Sequence, residues 1–217
     1  MRTITKLFLV AGVVFYTSCS NNASTETPAE DSAAVEEVEA TSFSIDKEFP
    51  QLVSYLHAQD SSFATDKFEG GELETNNTLP ETKIDTTQLA PFRPYLVYNS
   101  NKSMAIDPVS YNYVISTKKG KTVMEHGGPD TEVALVDLQN NTRKRLLFLG
   151  ASGTVLQVKW EGDSTVDIVG VEEVDQGKIR PSIWRYHLPT GKMELYQYAD
   201  SITANIKDYT EQKLNRP

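Results

Sequence analysis

From about residue 94 onward the chain alternates apolar and polar positions with the period of an extended strand. Leu156, Val158 and Trp160 stand against Val155, Gln157 and Lys159, and Trp184, Tyr186 and Leu188 stand against Ile183, Arg185 and His187. A period of two is expected where a sheet buries one face. The same reading predicts strands over 95–98, 113–116, 132–138, 145–149, 166–171 and 193–198. Turn residues separate them at 99–102, 118–120, 139–142, 150–153, 161–164 and 189–191.

The pattern is helical only at two places. Phe49, Val53 and Leu56 recur at spacings of four and three, with Asp46 placed to cap the helix and Pro50 tolerable in its first turn. Ile202, Ile206 and Tyr209 mark a shorter C-terminal helix over 201–217. Between these, Gly70-Gly71, Asn76-Asn77, Pro80 and Pro91 show little periodicity and read as a linker or a long surface loop.

Two segments repeat one design about fifty residues apart: VALVDLQNNTRKRLLFL over 133–149 and IWRYHLPTGKMELYQY over 183–198. Each is an apolar strand, a polar turn, a basic residue and a second apolar strand. This region resembles β-propeller blades, whose outer hairpins have this form and whose period is similar. Closed propellers take four to eight blades, and 94–198 has length for two. The expected fold is therefore mainly β. It is either two antiparallel blade-like sheets or a small β-sandwich, with a short N-terminal and a short C-terminal helix. A propeller fragment completed by a second copy of the chain is the alternative.

The N-terminus carries a different pattern. Arg2 and Lys6 precede an apolar run over 7–15, and Thr17 and Ser18 lead directly to Cys19, the one cysteine of the chain. A positive start and a short apolar core are the parts of a secretion signal, and the run is too short to span a bilayer. The order of apolar run, small residues and cysteine resembles the lipobox of bacterial lipoproteins, although Tyr16 stands where an aliphatic residue is usual. The resemblance covers the first nineteen residues. It implies cleavage between Ser18 and Cys19, a diacylglycerol on the Cys19 sulfur, and acylation, palmitate included, of the freed amine. Two or three acyl chains hold a protein to a bilayer where one holds marginally. Ser20, a non-acidic residue behind the cysteine, implies passage to the outer membrane of a Gram-negative cell. The competing reading is an ordinary secreted protein cut near the same place.

Composition changes the picture beyond the signal. Residues 20–40 hold Glu26, Glu30, Asp31, Glu36, Glu37 and Glu39 without a Lys or Arg. So acidic a run, poor in large apolar groups, cannot bury enough surface to offset its ordering entropy and reads as a flexible tether. As a random coil it would reach roughly 25 Å. The expected organisation is a signal over 1–18, a lipidated acidic tether over 19–41, a helix and loop segment over 42–92, and a β domain with a C-terminal helix over 93–217. Losing residues 1–18 removes two of the 21 basic residues and none of the 30 acidic ones, leaving a net charge of −11. That balance disfavours nucleic acid as a partner. A lipidated Cys19 would leave no disulfide to support the fold.

Candidate chemistry is sparse. His126-Gly127-Gly128-Pro129 resembles the oxyanion-hole loop of some serine hydrolases, but no Gly-x-Ser-x-Gly accompanies it, and Gly-Gly-Pro-Asp fits a turn between strands. His57, His126 and His187 lack the spacing of a zinc site. Glu172, Glu173 and Asp175 form an acidic group that fits a solvated strand end better than a calcium site. No catalytic residue, metal ligand or cofactor is thereby implied. Two classes remain: a membrane-anchored envelope lipoprotein whose non-catalytic β domain binds a protein or glycan, and a small extracytoplasmic hydrolase using His126 and a carboxylate such as Asp130. An acidic partner beside His126 in a concave pocket would favour the second.

Overall fold

The computed structural model describes residues 43–75, 81–118, 120–207 and 209. The signal, Ser18, Cys19, the acidic tether, Asn76-Asn77 and residues 210–217 lie outside the described residues. The described residues belong to one compact unit.

Helix α1 (Ile45–Glu48) passes through Phe49 into α2 (Pro50–Gln59), and β1 (Phe68–Thr75) follows. Then come β2 (Thr82–Lys83), a 3₁₀ helix over Thr86–Tyr95, β3 (Val97–Tyr98), β4 (Met104–Asp107), β5 (Tyr113–Lys118) and β6 (Lys121–His126). The last strands are β7 (Thr131–Asp137), β8 (Thr142–Leu149), β9 (Gly153–Glu161), β10 (Thr165–Asp175), β11 (Lys178–His187), β12 (Lys192–Tyr198) and β13 (Ile202–Thr203). One sheet runs β1-β12-β11-β10-β9 with β13 against β11, a second runs β2-β8-β7-β4-β3, and β5 and β6 form a separate hairpin. The fold is mainly β, and its strand pairs are antiparallel.

The two sheets pack face to face, as in a small sandwich. Ile106, Val133 and Leu147 from one meet Val166, Ile168 and Tyr186 from the other. The opposite face of the larger sheet is closed by the helices, where Phe49, Leu52 and Leu56 pack on Val169, Ile183 and Tyr198. Phe49, Leu52 and Leu56 are at most 1% exposed; burial of each stabilises the fold by about 1.5–3 kcal/mol. Leu52 and Leu56 fall at i and i+4 on one face of α2, and Ile45 on α1 and Phe49 between the two helices reach the same core. Pro50 opens α2, where its missing N–H removes no helical bond.

Several expectations are corrected. Ser44, not Asp46, precedes α1, and the Asp46 carboxylate instead accepts a 2.6 Å hydrogen bond from the Thr65 hydroxyl. Gly70-Gly71 lies in β1, where the register against β12 shifts between Gly70 and Leu73. Gly70 has φ +116°, and a Cβ there would lie 2.1 Å from the Leu195 carbonyl oxygen. A glycine pair that reads as a turn is here a bulge, because only glycine admits that approach. Ile202-Thr203 pairs with Lys178-Ile179 as a strand, so the described part of the predicted C-terminal helix is helical only at Lys207 and Tyr209. Strands β4 and β6 were not legible in the alternation. The repeated hairpins are β7–β8 and β11–β12. Both turn through four residues, ending in Asn141 (φ +53°) or Gly191 (φ +64°), yet they sit in opposed layers rather than in successive blades.

Candidate functional site

The two sheets come together at one corner. There β9 ends the larger sheet, β3 ends the smaller one, and the Trp160 indole N–H donates to the Val97 carbonyl at 2.8 Å. Beside this tie lies a groove of about 310 Å³. Its walls are two continuous stretches, 94–97 and 154–158, and its third side is Val109, Asn112, Tyr113, His126 and Thr131. A pocket on a sheet face would be lined by alternate residues. An unbroken run along β9 means that the strand's edge, with its backbone groups, faces the groove.

The hairpin β5–β6 supplies the aromatic wall. Tyr113 and His126 are cross-strand partners with ring centroids 4.4 Å apart, and Lys118 pairs with Glu125 nearer the turn. Burial raises the Tyr113 phenol above its ordinary pKa. Asn112 anchors the hairpin base: its side-chain NH₂ donates to the Pro108 carbonyl at 2.7 Å and its side-chain oxygen accepts from the Glu132 N–H at 2.7 Å. Thr131 donates to the Gly153 carbonyl at 3.1 Å, and the Gln157 side chain accepts from the Tyr209 hydroxyl at 3.0 Å. These polar side chains already have partners inside the domain.

His126 therefore lines a groove, but Asp130 does not line it, and neither does any other carboxylate. Gly127 donates its N–H to the Asn112 carbonyl at 2.8 Å, so it does not face an oxyanion position. Residues 127–130 connect β6 to β7, which belong to different sheets. His57 is exposed on the last turn of α2, and His187 sits against Glu194 on the neighbouring strand. The structure does not bring the three histidines together. Glu172, Glu173 and Asp175 are exposed at the end of β10, and no group of three metal-ligating side chains occurs among the described residues.

Buried ion pairs lie away from the groove in both sheets. In the smaller sheet Glu132, 1% exposed, pairs with both Arg143 and Arg145. A register shift in β8 near Leu146 sets Arg145 opposite Ala134, which brings both arginines to the Glu132 face. In the larger sheet Asp167 is fully buried beside Arg185, whose Nε lies 3.1 Å from its Oδ1. Phe43 covers the Arg185 guanidinium at 4.6 Å, and Glu48 pairs with Lys159 next to it. Burial pushes the Asp167 carboxyl up to about 6, with Arg185 pulling the other way. Glu48 is held below the usual carboxylate range by its hydrogen bond to Lys159.

Sequence reasoning singled out His126 but missed Tyr113 beside it and the β9 edge opposite. Recognising β6 as the partner of β5 across the Gly120 turn would have found the pair. No family model matches the sequence, and no curated protein matches it. Among solved structures the chain is similar to a protein of Clostridium novyi NT provisionally described as a conserved lipoprotein, at 14% identity over 62% of this chain and 72% of that one, with a TM-score of 0.29. A likeness that slight carries no argument about this chain. Fold and site together define a mainly β domain with an aromatic groove at an open sheet corner.

Proposed function

We propose that this is an envelope lipoprotein, acylated at Cys19 after cleavage behind Ser18, whose β domain binds a partner at the outer membrane without catalysing a reaction. The carrying observation is the groove: it offers aromatic walls and a strand edge, while its histidine faces no carboxylate that could orient it or take up its proton. The hydrolase reading needs such a carboxylate beside His126, so the groove supports it less well.

Support for the anchor is the order of Arg2 and Lys6, the apolar run, Ser18 and Cys19. No helix among the described residues is long and apolar enough to cross a membrane. The acidic tether then gives the domain its reach from the bilayer, roughly 25 Å.

The test has three readouts on cells producing the full chain. Wild type should fractionate with envelopes and Cys19→Ala should not, with unchanged circular dichroism; a mature N-terminus bearing a bare thiol would overturn the anchor. Cross-linking in intact envelopes should give a discrete adduct that Tyr113→Ala removes. Esterase or amidase activity that His126→Ala abolishes would overturn the non-catalytic reading.

A further inference from the structure

We infer that the groove takes an extended, uncharged polypeptide segment that adds as a strand to the free edge of β9. This deepens the binding reading above and rests on it. Three observations carry it.

The first is the form of the walls. β9 pairs with β10 on one side only, and residues 154–158 line the groove without a gap. Five residues of strand edge span about 17 Å and present backbone donors and acceptors in a row broken at Leu156, where β9 bulges against β10. The opposite wall ends in β3, which pairs with β4 on one side only. A strand laid along the β9 edge beside the 94–97 wall would extend the larger sheet.

The second is the state of the polar side chains. Asn112, Thr131 and the Gln157 side-chain oxygen are engaged within the domain, while Tyr95, Tyr113, His126 and Thr154 also line the groove. A sugar ring needs several free side-chain donors and acceptors around it, whereas an added strand takes its hydrogen bonds from backbone. The continuous run along β9 offers the second resource, and the side chains of Tyr95, Tyr113, His126 and Thr154 add polar groups that the side chains of an added strand can meet.

The third is charge. The chain carries a net charge of −9, yet no Asp, Glu, Lys or Arg lines the groove. A charged side chain entering it would be desolvated without a counter-ion, so the complementary segment is uncharged where it faces Tyr113, His126 and Val109. β9 is not a flat edge, since its register against β10 shifts between Val169 and Gly170. That shift, centred on Leu156, limits addition to a short segment and opposes unlimited edge-to-edge stacking.

The experiment uses the full chain in detergent and an acetylated, amidated Thr-Val-Thr-Val-Thr-Val peptide as probe. Hydrogen exchange should slow selectively at amides within 154–158 on adding peptide, while amides of β1, at the other edge of the same sheet, stay unchanged. His126→Glu should weaken binding at least tenfold and His126→Gln by less than threefold. The same peptide with two Thr replaced by Glu should also bind at least tenfold more weakly. Absence of peptide binding, or binding without protection of β9, overturns the inference while leaving an adduct lost in Tyr113→Ala, and hence the broader binding reading, intact. Protection of the same amides by a neutral N-acetylglucosamine tetramer overturns it in favour of a glycan. Protection that appears without peptide, together with a dimer in sedimentation, overturns it in favour of a second copy.

Discussion

Glu132 in the smaller sheet and Asp167 in the larger one are buried carboxylates that meet arginine in different ways. Glu132 faces Arg143 and Arg145 together, and both ion pairs are close. Asp167 faces Arg185 at 3.1 Å, but neither of its oxygens receives a hydrogen bond within the domain. A buried charge is tolerated only when attraction and hydrogen bonds together offset its lost hydration. Glu132 meets that condition through two guanidinium groups. Asp167 does not meet it fully, which is why its carboxyl is pushed up to about 6. The lesson is that a carboxylate with arginine as its neighbour is not yet a stabilising pair; the orientation of the donor decides.

Removing each carboxylate should break this symmetry, and the largest effect belongs to Glu132. Glu132→Ala leaves Arg145 without its partner and Arg143 with only Asp107, 3.6 Å away, and should cost about 3–5 kcal/mol in urea unfolding. Asp167→Asn should change stability at pH 7 by no more than about 1 kcal/mol, because relief of a poorly hydrogen-bonded charge offsets the loss of Arg185's partner. A loss at position 167 as large as that at 132 would end the distinction.

The pH dependence sharpens it further. Because the folded carboxyl of Asp167 binds its proton more tightly than an ordinary aspartate, its favourable contribution is present below about pH 4 and is lost as pH rises through about 6. Wild type should therefore lose about 3 kcal/mol relative to Asp167→Asn between pH 4 and pH 7. A difference that stays flat, or that grows with pH, would refute the assignment. Arg185→Met should cost about 2 kcal/mol at pH 7 and less at pH 4.5, since a protonated Asp167 no longer needs the guanidinium. The smallest effect concerns the corner between the sheets. Trp160→Phe loses the bond to the Val97 carbonyl and should cost about 1 kcal/mol, with faster hydrogen exchange confined to β3 and β9.

The strands β7 through β12 were legible because their alternation and their turns agree. Asp137 accepts from the N–H groups of Gln139 and Asn140, and Asn141 adopts a positive φ where Gly191 does so in the sister hairpin. The helix was legible from Phe49 and Leu56, whose period of 3.6 predicts a buried face. What escaped were the irregular strands. Gly70-Gly71 obeys the same glycine chemistry in a bulge as in a turn, and only the neighbouring Leu195 carbonyl distinguishes the two. β9 is irregular too. Leu156 packs in the helix-side core while Val155, Val158 and Trp160 pack between the sheets, so simple alternation misassigns both Val155 and Leu156. A bulge changes the face of every residue beyond it, and nothing local marks where it falls. The site was half legible: His126 stood out as a polar residue beside glycines, whereas its partner Tyr113 required knowing which strand pairs with which.

By itself the sequence determined the local matters: where the chain extends, where it turns, which helical face is apolar, and that an acidic stretch without Lys or Arg precedes the domain. These depend on neighbours within a few residues, whose steric and hydrogen-bonding preferences are intrinsic. Tertiary structure alone decided that the repeated hairpins would oppose each other, that β9 would border a groove, and that Asp167 would hold its proton near pH 6. Those outcomes depend on groups far apart in sequence, because burial, dielectric surroundings and the direction of an arginine's N–H bonds exist only once distant segments have packed.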